Sequence, residues 1–104
     1  MVSAVLMLVL SWNVRGLGKV EKCKVVRKLV LRHKPMVLFI QESKLKVFDC
    51  RVIRSIGGNW LSRGIGVVAN RASGGLITLW NEELFTVKAC VSSDRCLAVM
   101  DEER

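Results

Sequence analysis

Leu10-Ser11-Trp12-Asn13-Val14-Arg15-Gly16-Leu17-Gly18 stands between an apolar run and a basic stretch with helical spacing. Val5 to Trp12, leading into it, is apolar enough for a strand covered on both faces. Gly16 and Gly18 then mark a loop. Lys19 to Lys34 reads as a helix, because Cys23, Val26, Leu29, Val30 and His33 fall on one stripe. Glu21 in the first turn and Arg32, His33 and Lys34 in the last match the helix dipole, and Pro35 ends the pattern. Met36 to Ile40 is a second buried strand, closing in Gln41-Glu42-Ser43-Lys44.

A strand, a helix and a strand of these lengths make a right-handed crossover with parallel strands. Parallel neighbours end on the same sheet edge, where open α/β folds bind ligands. Asn13 ends the first strand and Glu42 the second, so topology alone brings an amide and a carboxylate together. Such oxygen donors suit a hard cation like Mg2+, which often takes one or two protein oxygens and completes its shell with water and phosphate. The competing reading makes Asn13 a turn cap and Glu42 a solvated loop acid. His33, at the far end of the helix, belongs near the opposite edge and is expected half-buried there rather than acting as a base.

Further along, Phe48 to Ile56 is expected as a short helix stopped by Gly57-Gly58, and Trp60 to Val68 as a bent strand. Gly75 to Trp80 is a strand, Asn81-Glu82-Glu83 a turn, Leu84 to Val91 the returning arm of a hairpin, and Cys96 to Met100 another strand. The class is mixed α/β.

With 104 residues the chain has room for one domain, and with 51% hydrophobic residues and one proline it is not disordered. Its formal net charge of +8 favours polyanionic partners, nucleic acid first. Cys23, Cys50, Cys90 and Cys96 have no CxxC spacing and only one histidine is present, which argues against a zinc site. The thiols are expected reduced, in a nuclear or cytoplasmic protein. The opening MVSAVLMLVL has no basic residue ahead of it and is too short to span a bilayer, so secretion and membrane insertion are not expected.

The stretch Ser11 to Gly18 resembles the opening motif of the endonuclease/exonuclease/phosphatase family, in the form used by plant non-LTR (LINE-type) retrotransposons. Leu38-Phe39-Ile40-Gln41-Glu42-Ser43-Lys44 is similar to the family's second motif. Ala72 to Trp80 is similar to its next strand, and the three stand in the expected order. The resemblance implies a four-layer β-sandwich with outer helices, of which residues 1–104 are the N-terminal half. It implies a Mg2+-dependent DNA endonuclease in which Glu42 holds the metal, Asn13 helps position metal and phosphate, and Lys44 and Arg15 are weaker candidates for DNA contacts. Arg15 stands where some branches carry an acid.

The family's later motifs, an Asp/Asn pair and a terminal Asp-His pair, have no counterpart after Trp80; Asp94 and Asp101 lack the context. In-line hydrolysis needs a base, an aligned phosphate and charge neutralisation together. The chain alone is therefore expected to be inactive, with an uncovered sheet face that invites self-association. Two other readings stay open. One is a non-catalytic nucleic-acid-binding module using Lys22, Lys24, Arg27, Lys28 and Arg32, for which a solvated helix face is the plain alternative. The other is a decayed transposon reading frame without function.

Overall fold

β1 (Val9–Asn13), α1 (Val20–His33) and β2 (Val37–Gln41) form the strand–helix–strand unit, and the two strands pair in parallel with Asn13 opposite Gln41. The computed structural model describes residues 8–69, 74–86, 89–90, 98–99 and 102–103. After β2 come α2 (Cys50–Gly57), β3 (Arg63–Val67) and β4 (Leu76–Trp80). The four strands make one mixed sheet in the order β1-β2-β4-β3, with β4 antiparallel to both neighbours.

Side-chain alternation divides this sheet into two faces. On one, Leu38 and Ile40 of β2 and Ile77 and Leu79 of β4 pack with Val26 and Val30 of α1, Ile56 of α2, and the loop residues Val14, Leu17 and Leu61. Both helices lie over this face, tied together where the Arg27 guanidinium donates to the Ser55 carbonyl. The glycines of β3, Gly64 and Gly66, leave room there for Leu79 and Phe48. On the other face Val37, Trp80 and Met36 form a second cluster with Phe39, Ile65 and Leu84 against it.

That second cluster corrects the expectation of a bare sheet face. Val37 is 2% and Trp80 7% exposed, clustered with Met36 and with Phe39, Ile65 and Leu84 packed against them. Among the described residues, large apolar side chains are exposed instead at the β1 edge, Leu8 (42%) and Val9 (41%), on α1 at Val20, Val25 and Leu31, and in loops at Val47 and Val68. β1 is also not covered on both faces; as an edge strand it alternates between exposed and half-buried residues.

α1 buries Val26 and Val30 and half-buries Cys23 and Leu29, but His33, in the last turn, is exposed rather than half-buried. The helix stops because Lys34 turns left-handed and returns its N–H to the Val30 carbonyl. The Met36 N–H then donates to the Leu8 carbonyl, which puts His33 at the sheet edge away from Asn13. Trp60 donates its indole N–H to the Pro35 carbonyl at 2.6 Å, and the Lys34 ammonium lies 4.8 Å from its ring centre.

The hairpin expected after β4 does not form on it, since both edges of β4 are taken by β2 and β3. Phe85–Thr86 (β5) pairs with Glu102–Glu103 (β8), and Ala89–Cys90 (β6) with Ala98–Val99 (β7). Residues 1–7 of the first apolar run lie outside the described residues, as do positions 87, 88 and 91 of the expected arm, 96, 97 and 100 of the last expected strand, and positions 94 and 101.

α2 starts at Asp49, whose carboxylate accepts from the Arg51 and Val52 backbone N–H groups. The Arg51 side chain, hydrogen-bonded to Asp49, together with those two N–H groups holds this carboxyl below its ordinary value of 3.8. An acid depressed in the folded state adds stability above its ordinary value, and that stability is lost as pH falls through the depressed one. Melting temperatures of Asp49→Asn and wild type should therefore differ at pH 5 and converge below the 3.8 region. A constant gap down to pH 2 would show that the carboxylate's charge contributes nothing.

Candidate functional site

The parallel β1–β2 pair delivers Asn13 and Glu42 to the same rim. The Asn13 side-chain amide donates to Glu42 Oε2, and Asn13 Oδ1 accepts the Arg15 backbone N–H at 3.2 Å. One oxygen of Glu42 is thus fixed by Asn13, while Oε1 carries no hydrogen bond among the described residues. Neither of the two ion pairs among those residues involves Glu42.

Backbone hydrogen bonds hold the rim together. Val14 N–H donates to the Gln41 carbonyl, Gly16 N–H to Glu42 at 2.8 Å, and Leu17 N–H to Ser43 at 2.8 Å. From the other side, Ser43 and Lys44 donate to the carbonyls of Gly75 (3.1 Å) and Gly74 (3.0 Å). Three loops therefore meet around Ser43, which is only 1% exposed.

Arg15, Glu42 and Lys44 all have left-handed backbones, with φ of 54°, 53° and 57°. Non-glycine residues rarely adopt this conformation, and such strain gathers at functional sites. Here the interlocked loops impose it.

Arg15 and Lys44 line a cleft of about 450 Å3 together with Gly16, Gly18, Lys19 and Lys22. Strand–helix–strand topology alone puts Asn13 beside Glu42 and His33 outside the site. It leaves Lys19 unassigned, treats Lys22 only as a residue of the basic helix, and overlooks Ser43 and Gly75. The one available signal is the Gly74-Gly75 pair, since both take positive φ and Gly75 also packs tightly against Ser43. Cys23 and Cys50 are free thiols, and no group of three or more His, Cys, Asp or Glu gathers among the described residues.

The donor set fits a single hard cation. Glu42 Oε1, without a hydrogen bond among the described residues, could serve as an oxygen ligand at a solvent-accessible rim, and Mg2+ needs no more than one or two from the protein.

The mixed four-stranded sheet with two helices on one face is compatible with part of an AP endonuclease-like fold. Among solved structures that match, the AP endonuclease LMAP from Leishmania major superposes with a TM-score of 0.50 at 25% identity. The match covers 71% of this chain and 23% of that enzyme, so the chain spans under a quarter of its length. No family model and no curated protein matches the sequence. No helix among the described residues is long and apolar enough to cross a membrane.

Proposed function

We propose that the chain supplies the opening part of a Mg2+-dependent phosphodiesterase acting on DNA, of the kind that LINE-type retrotransposons encode. The observation that carries this reading is the Asn13–Glu42 pair, an acid with one oxygen held and one free, beside a basic cleft. Glu42 holds the metal, which when bound neutralises phosphate charge. Asn13 aims the carboxylate through the bond from its amide. Arg15 and Lys44 face the phosphate backbone.

Hydrolysis also needs a base for the attacking water and a donor for the leaving oxygen. The described residues bring no such groups to this rim, and His33 lies at the other sheet edge. On this reading the rest of the site comes from residues other than these, and the isolated chain binds without turning over.

A nicking assay on supercoiled DNA with Mg2+ tests both statements. The 104-residue chain alone should leave the plasmid intact. In the presence of the remainder of a homologous domain, nicking should appear with wild type and vanish with Glu42→Ala. Equal nicking by wild type and Glu42→Ala would rule out the assignment of Glu42.

A further inference from the structure

The basic cleft lies next to the Asn13–Glu42 rim without including it. Its lining holds four cationic residues, Arg15, Lys19, Lys22 and Lys44, and no acid. Lys22 is spoken for, since its ammonium donates to the Val14 carbonyl at 3.0 Å and braces the loop after β1. Among the described residues, the side chains of Arg15, Lys19 and Lys44 make neither of the two ion pairs. α1 opens on the same place with Lys19 at its N-cap and no side-chain cap, adding the positive end of its dipole.

Gathering four cations around one concavity costs electrostatic energy that an anion offsets. Arg15 and Lys44 do so from left-handed backbones. The cleft also adjoins the metal-holding pair through direct bonds: Arg15 N–H to Asn13, and Gly16 N–H to Glu42.

We propose that this cleft is a second phosphate subsite, which holds the backbone phosphate next to the one presented at Glu42. The inference rests on the nucleolytic reading for the kind of anion and adds a requirement to it. The ligand must be a polynucleotide with at least two linking phosphates, and the one in the cleft is gripped without metal.

The test is equilibrium binding of a labelled oligonucleotide to the full chain in EDTA, across a salt series. Lys19→Glu and Lys44→Glu should each weaken binding at least tenfold and flatten the salt dependence, by about 0.9 in log–log slope for each duplex phosphate no longer neutralised. Lys24→Glu and Lys28→Glu, at exposed positions on α1 outside the cleft, change net charge equally and should have much smaller effects. Circular dichroism identifies any variant that fails to fold, and the other cleft variant then decides.

With Mg2+ in place of EDTA, so that the Glu42 side can also present a phosphate, a trinucleotide should compete better than a dinucleotide, and inorganic phosphate at equal phosphate concentration should compete least. Equal losses from cleft and control reversals would reduce the effect to net charge and overturn the subsite. Equal competition by inorganic phosphate would make it a single-anion site and overturn the two-phosphate requirement. In EDTA, with no metal to hold, Glu42→Gln removes a negative charge from beside the cleft and should bind the oligonucleotide at least as tightly as wild type. A failed Glu42 assignment is thereby separated from a failed cleft.

Discussion

Gly75→Ala should leave little folded protein. Gly75 is buried with φ at +93°, and an added Cβ would sit 2.3 Å from Ser43 Oγ and 3.0 Å from the Lys44 backbone nitrogen. Ser43 cannot retreat easily, since its hydroxyl accepts from the Leu45 N–H and its own N–H is bonded to Gly75. Backbone strain and overpacking together cost about 2–6 kcal/mol. A small domain holds roughly 5–15 kcal/mol in all, and one this short falls toward the low end.

Gly74→Ala separates the two contributions. Its φ is +86°, but nothing lies within 4 Å of an added Cβ. That variant should lose only the conformational part, about 1–3 kcal/mol. Urea unfolding followed by circular dichroism gives both values. Similar midpoints for the two variants would remove the Ser43 contact from the account of how the rim is held.

Glu42→Gln should abolish site-specific binding of a divalent cation while leaving the fold intact. Mn2+ provides the probe, because it takes oxygen ligands and broadens nearby amide resonances. In wild type the broadening should centre on residues 13–16 and 41–44. Asn13→Ala leaves the acid in place and removes the donor that aims it. Loss of a partner that orients a ligand typically weakens metal binding about 10–100-fold, so Asn13→Ala should fall between wild type and Glu42→Gln. Broadening that persists around residue 42 in Glu42→Gln would show that the carboxylate is not the ligand. An Asn13→Ala variant with wild-type affinity would confine Asn13 to holding the Arg15 turn.

The rim pair was legible in the sequence because its logic is topological. Two apolar runs separated by a helical stripe specify parallel neighbours, and parallel neighbours put Asn13 and Glu42 on one edge. β1, α1 and β2 fall close to the expected spans for the same reason. Strand order is another matter. Nothing local in Gly75 to Trp80 says that it lies between β2 and β3, because Ile77 and Leu79 satisfy the helix-side core only once α1 and α2 are in place.

A missing partner sheet would leave the second face exposed, whereas Val37 and Trp80 are buried there in a cluster with Met36, Phe39, Ile65 and Leu84. The cleft escaped notice because its cations come from three segments. Lys19 and Lys22 look like ordinary helix-surface lysines in one dimension. The left-handed backbone at Glu42 has no sequence signature, since it is imposed by bonds from Gly16, Gly75 and Gly74 to the peptides around it.

The left-handed rim sets durability against use. Glycine or asparagine at positions 15 and 44 would relieve the backbone and strip two charges from the cleft in the same stroke. Selecting variants for heat resistance alone should enrich those replacements, whereas selecting for hold on nucleic acid should keep the basic residues in their uncomfortable conformation.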